Sequence, residues 1–165
     1  MNDATPSAPP PARRATAEDA AEVLRLRQIM LDSMSGDEPA PRDWQAGALP
    51  GLRKRLSLPD GDFAAFVTEH PDGSGRLGSL AVGTIDYRIG GPGDPTGGRG
   101  HVFSVATDPR ARRRGHARAC MDALLSWFRD REVVQVGLSA STEAEPLYTA
   151  LGFTRRSAPD MRLTL

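Results

Sequence analysis

Apolar residues return every three or four positions at Ala117, Cys120, Met121, Leu124, Leu125 and Phe128, with Arg118, Asp122, Ser126 and Arg129 on the opposite side. That spacing predicts a long amphipathic helix with one face for the core. Ahead of it, Val102, Phe103, Val105 and Thr107 make a β-branched and aromatic run that reads as a strand. Pro109 cannot continue a ladder and turns Asp108 away from helical geometry, so the strand stops there. Strand, joint and helix together organise the rest of the chain.

The remaining elements are shorter. Arg13 to Ala15 predicts a first strand, and Thr16 an N-cap with Asp19 three residues on. The helix that follows runs to about Leu31 and carries Ala20, Val23, Leu24, Arg27 and Met30-Leu31 on one side. Ser33 to Pro41 is loop. Asp43 to Leu56 is a second helix, weakened by Gly47 and Pro50-Gly51 enough to divide into two pieces. Phe63 to Glu69 and Leu77 to Ile89 are strands around the turn Pro71–Gly75, with Gly78 and Gly83 at bulges. Val133 to Ser139, Phe153 to Arg156 and Met161 to Leu165 complete the strands. Between them Pro146 opens a short helix with Leu147, Tyr148 and Leu151, and Gly152 stops it in the left-handed region. Strands that mostly neighbour one another point to an α+β fold, a mixed and largely antiparallel sheet with helices on its faces.

Composition narrows the classes. A chain of 165 residues, 39% hydrophobic and 25% charged, is an ordinary globular protein of one domain. We read residues 1–12, dominated by Pro, Ala and Ser, as a disordered tail and 13–165 as the single domain. The formal net charge is zero, so nucleic acid and anionic membrane are not expected partners, and anion binding must be local. No apolar run approaches a membrane span and residues 1–14 lack the apolar core of a secretory signal, so a cytoplasmic location is expected. His70, His101 and His116 stand apart from one another, so no metal site is expected. The single cysteine, Cys120, falls on the apolar helix face and reads as a buried thiol rather than a nucleophile. The run GGPGDPTGGRG from Gly90 to Gly100 precedes a strand, not a helix, and so fails as a nucleotide loop; it reads as a long flexible hairpin connection.

The joint, Arg112-Arg113-Arg114-Gly115-His116-Ala117, is where chemistry collects. A helix start leaves N–H groups unpaired and carries partial positive charge, so it suits a phosphate or pyrophosphate. Gly115 allows close approach of the main chain, Ala117 keeps the next turn small, and the arginines offer permanent positive donors.

At these residues the chain resembles the GNAT superfamily of acetyl-CoA-dependent acyltransferases, whose pyrophosphate loop has the pattern R/Q-x-x-G-x-A/G. Arg112-x-x-Gly115-x-Ala117 is similar to it, and Leu147-Tyr148 followed by Leu151-Gly152-Phe153 looks like the family's C-terminal part. The resemblance implies a GNAT-like fold, a mostly antiparallel twisted sheet of six to seven strands flanked by about four helices. It implies acetyl-CoA as co-substrate and an amine-bearing acceptor, with Arg112, Arg113, Arg114, Gly115, His116 and Ala117 at the pyrophosphate. Val105, Ala106 and Thr107 are expected to meet the pantetheine arm through main-chain groups.

Tyr148 is then expected to protonate the departing thiolate of CoA, since a phenol near pKa ~10 is neutral at working pH. Family members often carry a glutamate base on the central strand; this one has none from Val102 to Thr107. His101 and Ser104 are the polar groups there, Glu69 and Asp86 lie on neighbouring strands, and His101 is the candidate base as a residue type that titrates near neutrality. Met34, Asp37, Glu38 and Trp44 are candidates for acceptor contact, against the plainer reading of a solvated loop with Trp44 packed for stability. Family members are often dimers, which leaves a homodimer open. A module that senses acyl-CoA without turning it over is the alternative to an enzyme.

Overall fold

The computed structural model describes residues 8–165. Residues 1–7 of the expected tail lie outside the described residues, and Ala12 already belongs to the first strand. The elements are β1 Ala12–Arg14, α1 Ala20–Met34, α2 Trp44–Leu56, β2 Phe63–Glu69, β3 Leu77–Tyr87, β4 Gly98–Thr107, α3 His116–Asp130, β5 Gln135–Leu138 and α4 Glu145–Ala150. The strands form one sheet in the order β1-β2-β3-β4-β5, antiparallel except for the last pair. The α+β class expected from the sequence, a largely antiparallel sheet with helices on its faces, is therefore present.

Two apolar layers hold the helices to the two faces. Val23, Leu24 and Leu26 of α1 and Leu52 and Leu56 of α2 pack against Val67, Leu80, Val82 and Ala106. On the other face Met121, Leu124 and Phe128 of α3, with Tyr148 of α4, cover Ala64, Ala81, Ile85 and Val102. Phe128 lies flat on the sheet because Gly83 and Gly100 have no side chains beneath it; a Cβ at either would stand 2.7 or 2.8 Å from the ring. Substitution there forces a large buried ring out of place, the overpacking cost of a dense core.

Of the two bulges expected within β3, the one at Gly78 occurs in it and the other falls on its partner. Gly78 is passed over where Thr68 pairs with Ser79 and Glu69 with Leu77. At Gly83 the extra residue is on the partner strand: Val82 pairs with Ser104 and Gly83 with Val102, leaving Phe103 unmatched. A bulge of this kind bends its strand and increases its twist.

Several boundaries differ from expectation. The second helix runs unbroken through Pro50, because Leu52 and Leu56 beyond it are buried against the sheet. The glycine-rich connection is less free than expected: Asp94 is buried and accepts from the Gly97 N–H, Thr96 and Arg99, and β4 already begins at Gly98.

The expected closing strands are absent, and among the described residues the sheet has five strands rather than six to seven. After α4 the chain caps the helix instead of entering a ladder. The N–H of Phe153 donates to Tyr148 O at 3.0 Å and that of Gly152 to Thr149 O at 3.0 Å, with Gly152 at φ +94° as expected. Arg155 then turns back to Glu145, and Pro159 interrupts the chain before Met161, Leu163 and Leu165, which stay exposed.

Candidate active site

The site starts from a parting of two strands. β5 pairs with β4 from Arg99↔Gln135 to Val102↔Leu138, and no further. The bulge at Phe103 follows at once, and from there to Thr107 the β5 side of β4 has no strand partner among the described residues. The direction of the free groups follows from the ladder. Asp108 N–H donates to Gly78 O at 2.8 Å, and in an antiparallel pair alternate residues face the partner. The main-chain groups of Ala106 thus face β3, while those of Val105 and Thr107 face the opening.

At the end of β4 the joint is anchored from below. The Asp108 carboxylate accepts from Arg110 N–H at 3.1 Å and from Arg25 Nη1 at 2.8 Å. Burial pushes this carboxyl up, but those two hydrogen bonds, with the charge of Arg25 and a contact from His70, together outweigh it and hold it below its ordinary value. Arg25 is itself bound to Glu22 and to Leu77 O. Beyond this anchor, Arg112 to Gly115 are exposed. Arg113 at φ 62° and Gly115 at φ 80° turn the chain twice through the left-handed region before α3 begins. Such a sequence of turned peptides, ending in the unpaired N–H groups of a helix start, makes a concave surface for an anion. At Gly115 a side chain would pay 1–2 kcal/mol, as a rough figure, for that conformation.

His116 belongs to the joint only by its main chain. Its side chain is buried and its Nδ1 lies 2.8 Å from Thr68 Oγ1 on β2. Burial, then the charges of Arg114 and His70, hold this imidazole below its ordinary value, so it is a neutral tether of α3 to the sheet. The sequence carried the signal: His116 stands four residues before Cys120, on the same apolar stripe. Arg112, Arg113 and Arg114 make no side-chain hydrogen bond or ion pair among the described residues and extend into solvent.

Tyr148 and His101 line one open cleft of about 1190 Å³, which runs along β5 and α4 past Leu138, Thr149 and Phe153. The Tyr148 ring is buried, with Phe153 edge-on at 5.9 Å. Burial pushes its phenol up, so it carries its proton at neutral pH. His101 is exposed and stacks on Phe103, centroids 6.3 Å apart and planes 10° from parallel. The other candidate bases are engaged or remote: Glu69 accepts from Arg13, and Asp86 is exposed beside Arg88. Cys120 is fully buried, and burial pushes its thiol up to about 12 despite hydrogen bonds from Ser79 and Thr68, so it offers no thiolate.

Of the expected acceptor contacts, Met34, Asp37 and Glu38 are exposed at or beyond the end of α1. Trp44 is partly buried, packs against the α1–α2 core and donates from Nε1 to Gln28 Oε1 at 3.1 Å and to Pro41 O at 3.0 Å. Sequence reasoning passed over Arg27, whose guanidinium lies over the Trp44 ring and donates to Ser104 Oγ. An arginine on the apolar side of α1 was the available clue. Among the described residues no cluster of three or more His, Cys, Asp or Glu is arranged to hold a metal, and no helix is long and apolar enough to cross a membrane.

This architecture is similar to that of solved acetyltransferases. A GCN5-related N-acetyltransferase from Ralstonia eutropha JMP134 is 23% identical, with 92% of this chain and 97% of that one covered at TM-score 0.75. A predicted acetyltransferase from Clostridium acetobutylicum, solved with acetyl-CoA, is 20% identical over 93% and 94%, at TM-score 0.76. Glucosamine-6-phosphate N-acetyltransferase from Arabidopsis thaliana is 18% identical over 92% and 96%, at TM-score 0.66. At these identities the likeness is one of fold. No curated protein matches the sequence. The family model described as Acetyltransferase (GNAT) family, however, matches residues 23–153, from within α1 to just past α4. By that match the chain belongs to the GNAT acetyltransferase family.

Proposed function

We propose that the protein transfers an acetyl group from acetyl-CoA to the amine of an acceptor, by direct attack within a ternary complex. The observation that carries this reading is the parted edge of β4 leading into the joint. Free main-chain groups at Val105 and Thr107 line a gap that ends at the anion-suited turn Arg112–Ala117. The pyrophosphate of the cofactor fits the turn, held by N–H groups and by the outward arginines. The pantetheine arm then runs along β4 like an added strand, with Val105 and Thr107 as its partners.

The chemistry follows from that pose. The acceptor attacks as a neutral amine, and its nitrogen forms a bond to the thioester carbon while the Val105 N–H stabilises the developing oxyanion. The C–S bond breaks, and Tyr148 gives its proton to the departing thiolate. The proton lost by the amine passes to His101, directly or through water. Holding two substrates in one geometry supplies much of the rate. Family membership and the fold of a neighbour solved with acetyl-CoA support the cofactor.

A sensor that holds acyl-CoA without turnover is the second reading, and the lack of any carboxylate along β4 favours it. The test is release of free CoA thiol from acetyl-CoA with a panel of amines. Amine-dependent release with formation of the N-acetyl product supports transfer. Tight acetyl-CoA binding without release on any amine supports the sensor.

A further inference from the structure

Two arginines on α1 have opposite environments. Arg25 is saturated: its guanidinium reaches both oxygens of Glu22, the Asp108 carboxylate and Leu77 O. Arg27, also only partly exposed, has a single hydrogen bond, from Nη1 to Ser104 Oγ at 2.5 Å. Every ion pair among the described residues involves other cations, so Arg27 has no counter-charge. A guanidinium offers five N–H donors in a planar fork, and one withdrawn from water without an anion is poorly compensated.

Its surroundings hold that fork in place. The guanidinium carbon lies 6.0 Å from the Trp44 ring centroid, and Trp44 is itself pinned through its indole N–H. Its one partner, Ser104, sits between the bulge residue Phe103 and Val105, the residue assigned to the thioester oxygen. Phe103, 40% exposed, stacks on His101 along the same strand. A fixed, unpaired cation beside the reacting strand is a receptor for a planar or tetrahedral anion.

We infer that Arg27 selects the acceptor: the substrate is an amine that also carries a carboxylate or phosphate, and the anion sits on the Arg27 fork while the amine reaches the thioester. This deepens the acetyl-transfer reading and rests on it. Carboxylate and phosphate share the required chemistry, and the probes separate them.

The experiment compares kcat/KM for anionic amines with counterparts lacking the anion: glutamate against glutaminamide, β-alanine against its amide, phosphoethanolamine against ethanolamine. The intact protein is expected to favour the anionic member of at least one pair, and the pair that responds names the anion. In Arg27→Gln that preference falls about tenfold or more, as for loss of one charge-assisted fork. Ser104→Ala removes the bond to the sheet, leaves the charge, and retains the preference. A side chain that merely fastens α1 to β4 would, on replacement, lower both members in proportion and leave the ratio unchanged. That result, a preference for neutral amines, or no transfer to any probe while acetyl-CoA still binds overturns this inference and leaves the cofactor reading intact. Failure of acetyl-CoA to bind overturns both.

Discussion

The proposed cofactor and acceptor sides of β4 are built by different means. Toward the cofactor, the surface is main chain: the outward groups of Val105 and Thr107, the turn through Arg113 and Gly115, and the start of α3. Its parts lie within one short segment, and each obeys a local rule of bulge, turn or helix end. On the proposed acceptor side the groups are side chains: Arg27 on α1 lies over Trp44 of α2 and bonds Ser104 of β4, where His101 and Phe103 stack on each other. A main-chain seat holds one constant ligand group and tolerates change in the side chains around it. A side-chain seat changes its ligand with one substitution.

The sharpest way to break this contrast is Gly115→Glu. It places bulk, a carboxylate and a disfavoured left-handed residue at the joint, so acetyl-CoA binding should be lost in calorimetry. Retained affinity would mean that the pyrophosphate sits elsewhere. Tyr148→Phe should come next, lowering kcat by roughly 10- to 100-fold with cofactor affinity little changed, as expected for loss of an acid. Full activity would move the proton donor to another group.

A smaller effect separates anchoring from binding. Thr68→Val leaves the buried His116 Nδ1 without its partner and should cost about 1–3 kcal/mol of stability in chemical denaturation. The same tether has a pH signature. His116 is held below its ordinary value in the fold and titrates near about 6.5 when unfolded. Its share of stability is therefore complete above that pH and is lost as the pH falls toward the folded value. His116→Asn, whose amide keeps a hydrogen bond without titrating, should flatten that part of the stability profile; an unchanged slope would assign it to another group. Smallest of all, Cys120→Ala should leave kcat unchanged, since the thiol is buried and protonated. Lost turnover with an unaltered melting temperature would point to an acyl-cysteine step.

The same contrast explains what was legible in the sequence. Asp108-Pro109, Gly78 and Gly152 announce themselves because each answers a local backbone demand, and each was found where expected, whereas at Gly83 the extra residue stands on the partner strand, at Phe103. His116 was assigned to the joint by position, although its four-residue spacing to Cys120 marked it for the core. Met161, Leu163 and Leu165 alternate like a strand, yet a strand exists only with a partner, and local periodicity carries no information about one. Arg27 is the same lesson at the site: its place on α1 was readable, but its missing counter-charge depends on what β4 and α2 bring to it from far along the chain.

The most direct test is the melting temperature of the purified protein with millimolar acetyl-CoA and, separately, with acetyl-pantetheine, which lacks the diphosphate. The main-chain seat predicts a clear rise with acetyl-CoA, since a ligand at about 100 times its Kd adds about 2.7 kcal/mol to the folded state. It predicts little rise with acetyl-pantetheine and none with acetyl-CoA in Gly115→Glu. An unmoved melting temperature with acetyl-CoA, or an equal rise with both ligands, would contradict it.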